Sequence, residues 1–183
     1  MFPTPVVLCG TYGPDGRPNL ATLAWTGLCC SEPPCIQISI RKSRHTHAAI
    51  LARKEFTVNI PSASLAKEVD FCGITSGRDV DKFERTGLTP MRSEFVDAPL
   101  VDEFPLCLEC RLRQTVELGS HDMFIGEIIA SWFREDCLNN ACEPDPLKIS
   151  PLAFTPLKSG SAYYSLGDTT GRAFSVGKTL LGH

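Results

Sequence analysis

No apolar run in this 183-residue chain approaches the roughly 20 residues that span a bilayer, so a helical membrane protein is excluded. Neither sign of charge dominates. Eighteen Lys and Arg stand against 21 Asp and Glu, and a net charge of -3 argues against a chain devoted to neutralising a phosphate backbone. The opening Met-Phe-Pro-Thr-Pro has no basic segment and no long apolar core, so no signal peptide is read there and a cytoplasmic protein is expected. Internal repeats are lacking, and so is a Gly-x-Ser-x-Gly nucleophile elbow. Val176-Gly-Lys-Thr179 ends like a phosphate-binding loop, but Arg172 stands where that motif needs glycine, and too few residues follow to open a helix.

What is present suits one compact domain over 1–183. Apolar residues make up 43% of the chain, enough for an ordinary core, and charged residues 21%. The nine cysteines are an odd count without a secretion signal, which does not read as a disulfide framework. Cys107-Leu-Glu-Cys110 has metal or dithiol spacing, but no second such pair exists. It also lies in an alternating run, where residues three apart face opposite ways. The plainer reading is small buried hydrophobes.

The first two-thirds reads as short strands broken by turns. Val6–Tyr12 and Asn19–Trp25 flank Gly13-Pro-Asp-Gly16, a hairpin pattern. Cys35–Arg41 alternates, with Ile36, Ile38 and Ile40 on one face. Glu55–Ile60 alternates with Phe56, Val58 and Ile60 inward. Longer alternating runs cover 104–118 and 122–133. Short helices are expected from Ser43 to about Arg53, over Leu65–Phe71 after Ser62 or Ser64, and over Val80–Thr86 capped by Asp79 and stopped by Gly87. Residues 136–183 are less regular. Half-buried antiparallel strands with a few helices imply a mainly β fold, a closed or partly closed Greek-key barrel.

Ser39-Ile-Arg-Lys-Ser-Arg-His-Thr-His47 is the segment richest in chemistry. A strand ends, basic side chains cluster, and a helix is expected to start near Ser43 with Thr46 at its third position and its hydroxyl free, the makings of a phosphate-monoester site or of a solvated basic turn. Lys82, flanked by Asp79, Asp81 and Glu84, reads as a solvated lysine with ion pairs. His121 lies at a tight turn, where histidines are usually just exposed. Trp25 serves either as core or as the flank of a planar ligand.

Together, Asn19–Trp25, Cys30-Ser-Glu-Pro-Pro34, Ile38–Arg41, the Thr46 helix, Glu55–Ile60, Cys72-Gly73 and Ser76–Phe83 resemble the flavin reductase-like FMN-binding split barrels, and most of all their flavoredoxin branch. The resemblance runs from residue 3 to about 155. It implies a Greek-key split β-barrel, a homodimer and non-covalent FMN. Carried across, it places Asn19, Thr22, Ala24 and Trp25 along the ring and ribityl chain, and Ser39, Arg41, Arg44 and Thr46 at the phosphate. Lys82, His121 and Phe154 become further cofactor contacts, with His121 the one catalytic candidate. The function implied is an oxidoreductase taking electrons from NAD(P)H. The alternatives are a flavoredoxin-type carrier reduced by a partner protein, and a cysteine-rich metal-binding protein. No dinucleotide fingerprint is present, but that family does not use one.

Overall fold

The computed structural model describes residues 2–180. Strands β1 (Thr4–Pro5), β2 (Val7–Tyr12), β3 (Pro18–Leu23), β4 (Thr26–Ser31) and β5 (Pro34–Arg41) lead into helix α1 (His45–Arg53) and β6 (Glu55–Ile60). Helices α2 (Ala66–Ile74) and α3 (Lys82–Thr86) precede β7 (Pro90–Arg92), β8 (Pro99–Val101), β9 (Leu106–Glu117) and β10 (His121–Phe133). Helix α4 (Pro146–Ile149), β11 (Ala153–Thr155) and β12 (Ala162–Tyr164) follow. No helix among the described residues is long and apolar enough to cross a membrane.

Seven strands form one antiparallel sheet in the order β3-β2-β6-β9-β10-β5-β4. Its edge strands β3 and β4 are consecutive in the chain, separated by Ala24 and Trp25 alone. The sheet therefore curls until its edges meet at that corner without a ladder between them, which is a split barrel. β1, β11 and β12 make a small second sheet, so the irregular tail returns to the N-terminus.

The alternating pattern sorts side chains into two cores. Ile36, Ile38, Ile40, Phe56, Val58, Cys110 and Phe124 pack together, while Leu8, Leu20, Val69, Cys72, Phe83 and Cys107 pack elsewhere. Cys107 and Cys110 thus fall into different cores, as strand geometry demands. Gly126 admits the Phe56 ring: a Cβ there would lie 2.5 Å from Phe56 Cζ. Strand β6 departs from simple alternation. Thr57 and Asn59 are fully buried beside Phe56 and Val58, and Ile60 is only half-buried. The second face is covered too, with Thr57 Oγ1 donating to the Pro99 carbonyl and Asn59 Nδ2 to that of Leu8.

Three helix boundaries differ from expectation. α1 starts at His45 with Arg44, not Ser43, at its N-cap, because the chain first turns through Arg44 N–H to the Arg41 carbonyl. α2 follows a single 3-10 turn and continues to Ile74. α3 is capped by Asp81, whose carboxylate accepts from Glu84 N–H; Asp79 is spent in a tight turn in which Asp79 and Val80 donate to the Ser76 carbonyl.

Glu109 is the least expected core residue. It is fully buried, and its carboxylate accepts from the backbone N–H groups of Glu94, Phe95 and Val96 and from Trp132 Nε1, at 2.7–3.1 Å. A carboxylate on the middle of β9 thereby anchors the loop before β8.

Candidate functional site

Beside the barrel seam lies an open cleft of about 870 Å³, within the range of small-ligand and cofactor sites. Strand β3 forms much of its lining and is fixed from both sides. Asn19 Nδ2 donates to Thr46 Oγ1 of α1 at 3.0 Å, and Thr22 Oγ1 donates to the Val69 carbonyl of α2 at 2.6 Å. The Trp25 carbonyl accepts from Ser39 N–H at 2.9 Å, which ties the corner backbone to β5, and Trp25 is 45% exposed.

Every residue that the resemblance assigns to the cofactor lines this cleft. Asn19, Thr22, Ala24 and Trp25 come from β3 and the corner, and Ser39 and Arg41 from the end of β5. Arg44 and Thr46 come from the start of α1, Lys82 from α3, His121 from β10 and Phe154 from β11. His121 sits directly opposite Arg41 in the β5–β10 register, and its Nδ1 lies 2.9 Å from Ser120 Oγ.

Two local readings need correction. Thr46 is the second residue of its helix and almost wholly buried, and its oxygen already accepts from Asn19. Lys82 is no solvated lysine. It is 4% exposed, and its ammonium donates to the carbonyls of Leu20 and Cys72, both at 2.7 Å, with no carboxylate engaged. Burial pulls its pKa down to about 8, and the nearby Arg44 charge adds to that. The adjacent Cys72 thiol is pushed up to about 11, again chiefly by burial.

The basic segment divides. His47 turns inward, its Nε2 2.7 Å from Asp122 Oδ2, and that bond holds the Asp122 carboxyl below its ordinary range. Lys42 pairs with Glu117 and lies 3.4 Å from Asp122. Arg41, Arg44 and His45 are left to the cleft, beside a helix N-terminus that has no side-chain cap and no acidic residue in its first turn. Its unpaired N–H groups and dipole favour an anion from outside the chain. Asn19 Oδ1 is buried without a hydrogen-bond donor.

The end of α2 contributes Gly73, and the loop after it Thr75, Ser76, Gly77, Arg78 and Asp79, none of which was assigned to the site from sequence. Gly77 packs on Asn19 so tightly that a Cβ would lie 2.0 Å from Oδ1. Ser76–Phe83 stood out in the sequence for its resemblance to the family, but no periodicity pointed to β3 as its neighbour. Among the described residues no group of three or more His, Cys, Asp or Glu is arranged to hold a metal. Asp79 is the single carboxylate among the described residues that line the cleft. The cleft is basic at the start of α1 and presents the aromatic side chains of Trp25 and Phe154.

Known proteins share this architecture. The chain is 44% identical to the solved flavoredoxin of Desulfovibrio vulgaris (Miyazaki F), with TM-score 0.91 over 97% of this chain and 94% of that one. It is 34% identical to the flavoredoxin of Methanosarcina acetivorans, again with TM-score 0.91, over 98% of this chain and 94% of that one. A curated but uncharacterised protein of Archaeoglobus fulgidus is 36% identical over 62% of this chain, and the match spans 64% of that protein's length. Residues 1–157 match the flavin reductase like domain, and the chain belongs to that family.

Proposed function

We propose that the chain is an FMN flavoprotein whose cleft holds the cofactor for electron transfer. The observation that carries this reading is the uncapped, acid-free start of α1 flanked by Arg41, Arg44 and Thr46, a site for one phosphate monoester. Asn19, on the cleft wall, lies along the ribityl chain. Ala24, Trp25 and Phe154 offer apolar surface to the ring, while Thr22, Ser39 and Lys82 supply polar contacts. Bound FMN supplies the redox chemistry, accepting and returning a hydride or single electrons. The residues of the chain hold it, shield it and set its electrostatic surroundings. Trp25 and Leu28 are exposed beside the corner, and a second copy of the chain covers them in the working homodimer.

Electrons come from NAD(P)H in this reading, with His121 beside the ring to meet the incoming nucleotide. A flavoredoxin-type carrier reduced by a partner protein is the second reading, favoured by the 44% identity to a flavoredoxin over nearly the whole chain. Purified protein is expected to be yellow and to release FMN, not FAD, on denaturation. Colourless protein that also ignores added FMN overturns the proposal. Anaerobic mixing with NADH and NADPH separates the readings: His121→Ala slows flavin reduction in a reductase, whereas in a carrier neither nucleotide reduces the wild type.

Lys82 adds a pH dependence. It feels the charge of Arg44, so an anion seated beside Arg44 raises the Lys82 pKa above about 8. The complex then holds a proton that the free protein releases. FMN affinity is full below pH about 8 and falls as pH rises beyond it, by at most about tenfold per unit. Titrations at successive pH values are expected to show this decline in the wild type and a flat profile over pH 7.5–9 in Lys82→Met.

A further inference from the structure

We propose that Cys30 and Cys35 are a redox-responsive dithiol that closes into an intramolecular disulfide on exchange with a low-molecular-weight disulfide. The two residues are direct cross-strand partners on the β4–β5 hairpin, and the register shift between Leu28 and Cys30 leaves Cys29 outside the pairing. Opposed residues of an antiparallel pair put their side chains on one face with Cα atoms about 4.5–5.5 Å apart. That separation lies inside the roughly 4.4–6.8 Å that a disulfide requires. Cys30 Sγ donates to the Glu32 carbonyl at 3.4 Å in the turn of the same hairpin. Cys107 and Cys110 share the motif spacing but sit in different cores; Cys30 and Cys35 have no such motif and meet.

Their exposures assign them different parts. Cys30 is open to solvent, whereas Cys35 is 4% exposed and its thiol is held protonated chiefly by burial. The Cys30 thiolate therefore attacks first, forming a mixed disulfide and expelling one thiolate, which takes up a proton. Cys35 then loses its proton, attacks the Cys30 sulfur and expels the second thiol. In sum, two protein thiols are oxidised to one disulfide, and one small disulfide is reduced to two thiols. The bond pins the ladder that, at its other end, carries Trp25 through the Ser39 N–H bond.

Native protein incubated with oxidised glutathione, then denatured, alkylated and digested for peptide mapping, tests this. Peptide mapping of the wild type is expected to find Cys30 joined to Cys35 and free of glutathione, with full recovery of all nine alkylations after dithiothreitol, whereas the exposed Cys29 and Cys142 carry at most glutathione adducts. Cys29→Ser behaves in the same way. Cys35→Ser traps one glutathione on Cys30, and Cys30→Ser neither forms the bond nor retains glutathione at this hairpin. Treated wild type without the Cys30–Cys35 bond, a bond that disappears in Cys29→Ser, or disulfide-linked dimers in place of the internal bond each overturn the proposal.

Discussion

Glu109→Ala is expected to lower stability by about 4 kcal/mol, at the upper end of what single substitutions do. The native carboxylate satisfies three backbone N–H groups and an indole N–H in a site without solvent. Truncation orphans all four donors, and each buried unsatisfied group costs about 1–3 kcal/mol before the loop relaxes toward water. For a chain of this size the expected drop in Tm is roughly 8–16 °C. Glu109→Gln keeps the shape and one acceptor oxygen but turns an N–H pair toward existing donors, so it falls between the two. Denaturation followed by circular dichroism measures all three proteins. A loss below about 1 kcal/mol in the alanine variant shows that residues 94–96 do not depend on this anchor.

Arg41→Ala combined with Thr46→Ala is expected to weaken FMN binding about a hundredfold while leaving riboflavin binding unchanged. One substitution removes a charge-assisted contact and the other a hydroxyl at the helix start, each worth roughly 1.5–3 kcal/mol and not fully additive. About 3 kcal/mol is two decades in Kd. Riboflavin lacks the phosphate and so reports on the rest of the cleft. Equal weakening of both ligands means that losing Thr46 released Asn19 and disturbed β3; unchanged FMN affinity places the phosphate elsewhere.

The strands were legible because a half-buried strand writes its environment in every second residue. Ile36, Ile38 and Ile40 are the clean case, all almost wholly buried. Strand β6 shows where that signal stops: burial on both faces replaces alternation with Thr57 and Asn59, polar residues whose partners are carbonyls of remote strands. Local composition holds no record of such partners. The basic run at 41–47 suggested an anion site or a solvated turn, but not that His47 would turn away to Asp122, 75 residues later. Lys82 was misjudged from its acidic neighbours for the same reason. Those carboxylates lie along its own turn, while its ammonium reaches back to two carbonyls supplied by β3 and α2. Resemblance to relatives supplied Lys82, His121 and Phe154, which residue chemistry alone did not distinguish from ordinary surface and core.

The corner at Ala24–Trp25 bears on how quickly a bound molecule is exchanged. β3 and β4 lie at opposite ends of the seven-strand order and share no ladder, although only two residues separate them. Widening the gap between them therefore breaks no strand pairing. Residence time is set by the contacts a ligand makes with the cleft, not by the rate at which the barrel comes apart. Apo and loaded forms can then interconvert under conditions in which amide protons of β9 and β10 remain locked, and purified protein can be emptied and refilled without passing through a denatured state.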